Sequence, residues 1–207
     1  MSEEGALTGQ VAEPPPLRLF IALTPSEAVR GALAEVQDRL RQRLPKGAVK
    51  WTPPRQIHLT LRFLGDVAAE SVSGLSAALA NLVATQPSFE LDAHGLGVFP
   101  NPRRPRVVWV GLGGGLTELA HLQAAVEAAT APWGASEAKA FHAHLTLGRI
   151  RDLPAARLRG IGDALATFNV GQLGRWAVSE VKLYRSELRP EGSIHTCLAS
   201  VRMGRQS

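Results

Sequence analysis

The tetrapeptide His-Leu-Thr-Leu occurs twice, at 58–61 and at 144–147, and no other feature limits the possible folds as strongly. Aligned at this offset of 86 residues, His58-Leu-Thr-Leu-Arg-Phe-Leu-Gly-Asp-Val67 matches His144-Leu-Thr-Leu-Gly-Arg-Ile-Arg-Asp-Leu153 at five of ten positions. The same offset brings a helical pattern over about 68–84 into register with one over about 154–166. The chain therefore reads as an internal duplication.

Each half carries the same order of elements. In the first, the spacing predicts a strand over 17–23, a helix that starts at Thr24-Pro25-Ser26-Glu27 and stops near Leu44-Pro45-Lys46-Gly47, a strand over 56–64, the helix over 68–84 and a strand over 88–98. Pro100-Asn101-Pro102-Arg103-Arg104-Pro105 then makes a turn or loop. The second half repeats this with a strand over 107–111, a glycine turn, a helix over 117–130, a strand over 142–150, the helix over 154–166 and a strand over 176–184. The strands and helices mix without a regular βαβ alternation. The expected fold is α+β and bilobal: two duplicated lobes, each with a mainly antiparallel sheet and outer helices, and an active-site cleft between them.

Composition narrows the class. The chain has 207 residues, 45% of them apolar, and no apolar run long enough to span a bilayer. Residues 1–16 carry Glu3, Glu4 and Glu13 and end in three prolines, the reverse of a secretory signal. They are expected to form a disordered tail, leaving a single two-lobed domain over 17–207 in a cytoplasmic monomer. Cys197 is the only cysteine; it can form no internal disulfide and reads as a small buried residue. Basic residues number 23 against 18 acidic, and only 46, 50, 139 and 182 are Lys. An arginine-rich surface suits phosphate and bases, so RNA or a nucleotide is the expected partner; genomic base composition is the competing explanation.

In a strand, His58 and Thr60 share one face and Leu59 and Leu61 the other, and likewise for 144–147. A polar pair that merely faces solvent is the plain alternative, but its recurrence at equivalent places weighs against that. Two imidazoles converging in a cleft can divide acid and base duties around one phosphorus, and two threonine hydroxyls can hold its free oxygens. That inventory fits a phosphodiester and calls for no metal or other cofactor. His142 and His144 share a face and suggest a metal pair with His58, yet no carboxylate lies within four residues of His144 to support one.

Weaker signals accompany the pair. His94, His121 and His195 read as structural or exposed. Gly111-Leu-Gly-Gly-Gly115 lacks the ending of a phosphate loop and reads as a turn. Arg103, Arg104 and Arg106, with Lys50 and Arg55, are placed to guide an RNA strand or simply to meet solvent. Trp51, Trp109, Trp133, Trp176, Phe20, Phe63 and Tyr184 are core residues first, with no base-stacking residue singled out among them.

Together with Arg18-Leu-Phe-Ile-Ala-Leu23, Arg106-Val-Val-Trp-Val-Gly111, Phe141-His-Ala-His-Leu-Thr-Leu147 and Leu183-Tyr-Arg-Ser186, the paired motif resembles the two-histidine phosphoesterase superfamily. Within it the chain is similar to the RNA 2',3'-cyclic phosphodiesterases, also called 2'-5' RNA ligases, over nearly all of 17–198. The resemblance implies a motif on a central strand of each lobe. It also implies metal-independent opening of 2',3'-cyclic phosphate ends of RNA, tRNA fragments among them, to 2'-phosphomonoesters, with reversible 2'-5' ligation alongside. By resemblance His58 is the proton donor, His144 the proton acceptor, Thr60 and Thr146 the phosphate holders, and Arg149 a substrate-binding arginine. Nothing in the two identical motifs assigns acid to one and base to the other. Strand parity sets Arg149 opposite to His144, so a bulge near Gly148 would be needed to turn it inward. Arg62, at the first motif's counterpart of Gly148 and with the parity of His58, is a second substrate-binding candidate. The alternatives are a non-catalytic RNA-end or nucleotide-binding protein, or a phosphodiesterase of small cyclic nucleotides or 2'-5' oligonucleotides.

Overall fold

The computed structural model describes residues 14–135, 140–189 and 192–204. Of the expected tail, residues 1–13 lie outside these; Pro14 to Pro16 are exposed and without regular structure, and the first strand opens at Leu17. The strands are β1 (Leu17–Leu23), β2 (Val49–Trp51), β3 (Leu59–Val67), β4 (Phe89–Phe99), β5 (Val107–Gly114), β6 (His144–Ile150), β7 (Gln172–Val178), β8 (Glu180–Arg189) and β9 (Gly192–Arg202). The helices are α1 (Glu27–Arg43), α2 (Val72–Val83), α3 (Leu116–Ala129) and α4 (Ala155–Ala166). Among the described residues, no helix is long and apolar enough to cross a membrane.

Two antiparallel sheets carry the two lobes, in the orders β3-β1-β8-β9 and β2-β6-β5-β4-β7. The duplicated halves do not map one to a lobe. The first half gives β1 and β3 to one sheet but β4 to the other; the second gives β5 and β6 to one but β8 to the other. The helices cross over as well: α1 packs on β7 of the second lobe, and α3 packs on β3 of the first, where α2 joins it. Each half is thereby laced into both lobes, and one hydrophobic core runs through the molecule. The helices cover the faces carrying Leu19, Ile21, Leu59 and Leu61 in one sheet and Leu91, Val108, Val110, Leu145 and Leu147 in the other, all buried. Each such side chain contributes about 1.5–3 kcal/mol relative to exposure. The opposite faces carry Phe20, itself buried, with half-buried Thr60 in one sheet and half-buried Thr146 in the other.

Three details depart from expectation. The motif strand β6 is flanked on both sides, by β2 and β5, but β3 ends its sheet and pairs only with β1 among the described residues. That free edge is where β3 comes beside β6, so the lobes meet along the two motif strands. The expected strand over 176–184 is two, because the chain changes sheets between Val178 and Glu180, and β9 follows it. Cys197 lies on β9 and is exposed, its Sγ 3.4 Å from the Ala199 carbonyl; it is not a core residue.

The duplication explains one further pair. Gln37 on α1 is fully buried, and its Nε2 donates to the carbonyls of Leu147 and Thr52, each at 2.8 Å. Gln123 on α3 stands 86 residues later and reaches the Leu61 carbonyl at 3.4 Å. Leu61 and Leu147 are the unpaired residues of matching β-bulges: Ile21 and Ala22 pair with Arg62 and Thr60, and Val108 and Trp109 pair with Gly148 and Thr146. In each lobe a glutamine from the other half of the chain donates to the bulge carbonyl, and that of Leu147 accepts from the Thr52 N–H at 2.9 Å as well.

Candidate active site

His58 immediately precedes β3 and His144 opens β6, so each ring stands at the end of a motif strand where the lobes meet. Both are oriented in the same way. Nδ1 of His58 lies 2.7 Å from the Gln56 carbonyl and Nδ1 of His144 lies 2.7 Å from the His142 carbonyl. A carbonyl can only accept, so Nδ1 carries the proton in each ring and Nε2 is left with its lone pair when the ring is neutral. Thr60 and Thr146 follow two residues on, half-buried on the same faces, opposite Ala22 and Trp109.

The bulges decide where the arginines go. Without a bulge, Arg62 and Gly148 would share the face of the histidines. The extra residue at Leu61 or Leu147 inverts that alternation, so the cleft face resumes at Phe63 and Arg149. Phe63 is 45% exposed, and Arg149 is exposed and close enough for its charge to oppose protonation of His144. Arg62 is 4% exposed and turned away from the histidines into the end of α3. There it donates to the Glu127 carbonyl at 2.7 Å, to Thr130 Oγ1 at 2.6 Å and to the Gly134 carbonyl at 2.6 Å, with the Glu127 carboxylate 3.5 Å away. Arg62 is not beside the site; it joins the last turn of α3 to β3, and its expected contact with substrate is withdrawn.

Aromatic rings surround both imidazoles. Phe20 stacks on His58 with centroids 4.8 Å apart, and Tyr184 stacks on Phe20 at 5.2 Å while its hydroxyl meets Thr24 Oγ1 at 3.1 Å. His195, from β9, stands edge-on to His58 at 5.2 Å and to Phe20 at 4.9 Å. In the other lobe Phe99 stands edge-on to both His144 and His142 at 5.0 Å, and Trp109 is 5.0 Å from His142. Gly97 is required there, because a Cβ on it would lie 2.2 Å from the Trp109 ring. The position of His195 beside His58 was not foreseen from the sequence. It sits in β9, whose half-exposed residues carry no apolar alternation, and only the curl of the sheet brings it to His58. Lys50 lies opposite Arg149 on β2, and Arg55, Arg103 and Arg104 are exposed, whereas Arg106 is engaged by Asp152 at 2.8 Å.

Burial lowers the His58 pKa to about 4, against the opposing effect of its bond to the Gln56 carbonyl, and the charges of His195 and His144 lower it further. His144 is lowered too, first by burial, with the bond to the His142 carbonyl opposing and His142 and Arg149 adding to the effect. Burial lowers His195. At neutral pH His58 is thus a neutral imidazole, and an anion beside it would favour its gaining a proton. Among the described residues, no three His, Cys, Asp or Glu side chains gather as a metal-binding group.

A cleft with two matched imidazoles, two hydroxyls and a facing arginine is equipped for an anion that changes its bonding. The family model described as "LigT like Phosphoesterase" matches residues 23–109 and 114–195. The chain belongs to this family. Its identity to the RNA 2',3'-cyclic phosphodiesterase of Methanothermobacter thermautotrophicus is 32% over 187 residues, 90% of this chain and 99% of that one. Among solved structures, TT0787 of Thermus thermophilus superposes with a TM-score of 0.75 at 29% identity, covering 92% of this chain and all of that one. LigT of E. coli, solved in complex with 3'-AMP, does so with a TM-score of 0.70 at 27% identity, covering 91% and 98%. The LigT-like phosphoesterase described here is accordingly an enzyme of phosphate-ester chemistry with the two-lobed fold of its relatives.

Proposed function

We propose that this phosphoesterase hydrolyses RNA 2',3'-cyclic phosphate ends to 2'-phosphomonoesters by acid–base catalysis between its two histidines. The observation that carries the reading is the matched anchoring of His58 and His144, each with Nδ1 on a backbone carbonyl and Nε2 free to exchange a proton. His144 Nε2 takes a proton from water as the water oxygen bonds to phosphorus. The bond from phosphorus to the 3'-oxygen breaks, and His58 Nε2–H donates its proton to that oxygen. Thr60, Thr146 and Arg149 hold the non-bridging oxygens as charge moves onto them. An RNA 5'-hydroxyl in place of water gives a 2'-5' linkage by the same steps.

The acid must be protonated when the bond breaks, while burial holds His58 neutral. Binding of the phosphate therefore brings a proton into the cleft. The depression of His58 to about 4, which suits a base, favours a second reading with the roles exchanged, in which the 2'-oxygen leaves and a 3'-phosphate forms. Phosphorus NMR of the product from a defined cyclic-phosphate-ended RNA separates them: a 2'-phosphomonoester is expected, and a 3'-phosphomonoester assigns the acid to His144. His58→Ala and His144→Ala should each abolish turnover and keep RNA affinity within about tenfold, or about 1.4 kcal/mol. Turnover at the wild-type rate in either variant refutes the mechanism. No turnover by the wild type, with binding intact, would leave the non-catalytic alternative. A preference for mononucleotides over the short RNA would favour small cyclic nucleotides as substrates.

A further inference from the structure

A third imidazole in the cleft is anchored as the two catalytic candidates are. His94 Nδ1 lies 2.8 Å from Oδ1 of Asp92, its neighbour two residues upstream, just as His58 and His144 use the carbonyl two residues upstream. A carboxylate accepts, so Nδ1–H donates here also and Nε2 is the ring's free polar atom. His94 plays no part in the chemistry derived above.

Its position is set by the sheet. His94 on β4 is directly opposite Gly111 on β5, and Gly111 is directly opposite His144 on β6. Residues opposite one another project from the same face. His94 and His144 therefore stand on the cleft face of one sheet, two inter-strand spacings or about 10 Å apart. The intervening residue is glycine, and the Trp109 ring from the same strand lies beside it, 3.6 Å from where its Cβ would stand. The dyad is also seated: a Cβ on Gly113 would lie 2.6 Å from His94 Cε1 and 2.9 Å from Asp92 Oδ1. Asp92 is 17% exposed beneath a His94 side chain that is 42% exposed, so the carboxylate fixes a ring that remains open to the cleft. Arg175, opposite Asp92 on β7, continues the polar strip, held 3.5 Å from Glu90.

We infer that Asp92 and His94 form a second RNA subsite, which holds the ribose–phosphate backbone of the nucleotide preceding the cyclic-phosphate end. The inference rests on the phosphodiesterase reading above. With the terminal phosphate between His58 and His144, the chain's next backbone unit passes Gly111, beside the Trp109 ring, to reach His94. There Nε2 donates to a phosphate oxygen when the ring is protonated, or accepts from a ribose hydroxyl when it is neutral.

The test compares a nucleoside 2',3'-cyclic monophosphate with a dinucleotide ending in the same group, both in wild type and in His94→Ala and Asp92→Asn. The wild type should prefer the dinucleotide in kcat/KM. That preference should fall about tenfold in His94→Ala, through KM, and by a smaller factor in Asp92→Asn. Because the preference is a ratio within one preparation, partial misfolding cancels. A preference that stays at the wild-type value in His94→Ala, or a wild type with no preference, overturns the subsite. If the wild type turns over neither substrate, the phosphodiesterase reading fails separately. Calorimetric binding of a dinucleotide 3'-phosphate and a mononucleotide 3'-phosphate then decides the subsite, by whether His94→Ala removes the dinucleotide's extra affinity.

Discussion

Replacing Arg62 by Met distinguishes an arginine that supports the fold from one that serves the cleft. The guanidinium is buried, and it supplies donors to two carbonyls and a hydroxyl at the end of α3 beside the Glu127 carboxylate. Met fills much of the volume but offers no donor, and it leaves the Glu127 carboxylate, 28% exposed, without its cation. Breaking a buried charged network from one side costs about 3–5 kcal/mol. For a domain of this size that is roughly 6–20 °C in Tm. Thermal unfolding followed by circular dichroism, beside Arg149→Met, reads the difference. Arg149 is exposed, so its loss should move stability by no more than about 0.5 kcal/mol while lowering kcat/KM by about a hundredfold, as removal of a donor to a developing phosphate charge does. Arg62→Met, assayed well below its melting point, should keep kcat/KM within about threefold, since the bulge at Leu61 turns that side chain away from the site. A folded but inactive Arg62→Met, or an Arg149→Met that melts early with full activity, would show that the bulges have been read backwards.

Three further outcomes follow from the same geometry. His58 is neutral in the folded chain down to about pH 4 but takes up a proton below about 6.5 when unfolded, so the unfolded state binds more protons between these values and stability falls as pH drops through them. Urea unfolding should show the wild type losing about 2 kcal/mol more than His58→Gln between pH 7 and pH 4.5; equal losses would mean that His58 is not desolvated. Gly97→Ala should push the Trp109 indole off β4, costing about 1–3 kcal/mol, and change the tryptophan emission; an unchanged spectrum and melting point would refute the contact. Gln37→Leu removes one of two donors to the Leu147 bulge carbonyl, the Thr52 N–H remaining, which should cost about 0.5–1.5 kcal/mol and lower kcat/KM by loosening Arg149, whereas Gln123→Leu, which loses a longer bond, should cost less in the same melts.

Much of the site was legible before any coordinates. Two identical His-x-Thr stretches at a fixed offset specify which residues share a strand face, because a period of two is a local property of the chain. The helices of both halves were legible for the same reason, from apolar residues at helical spacing. β2 and β9 were not: the first has three residues, and the second has little apolar alternation to read. Cys197, read as buried, is exposed on that strand, and the strand carries His195 to the edge of the His58 ring.

From its amino acids alone, this chain determined the doubled motif, the order of its elements and the kind of chemistry four side chains can perform. Which arginine shares the face of the histidines was decided only in three dimensions, because an unpaired leucine, Leu61 or Leu147, inverts the alternation of the residues that follow it in each motif strand, and those bulges are bonded by glutamines 62 and 110 residues away in sequence. The lobes follow the same rule. Contacts between α1 and the second sheet, and between α3 and the first, join segments far apart along the chain, and no local pattern encodes how one half exchanges its helix with the other. The depressed pKa of His58 has the same origin, since burial beneath rings from β1, β8 and β9 exists only once those strands have assembled.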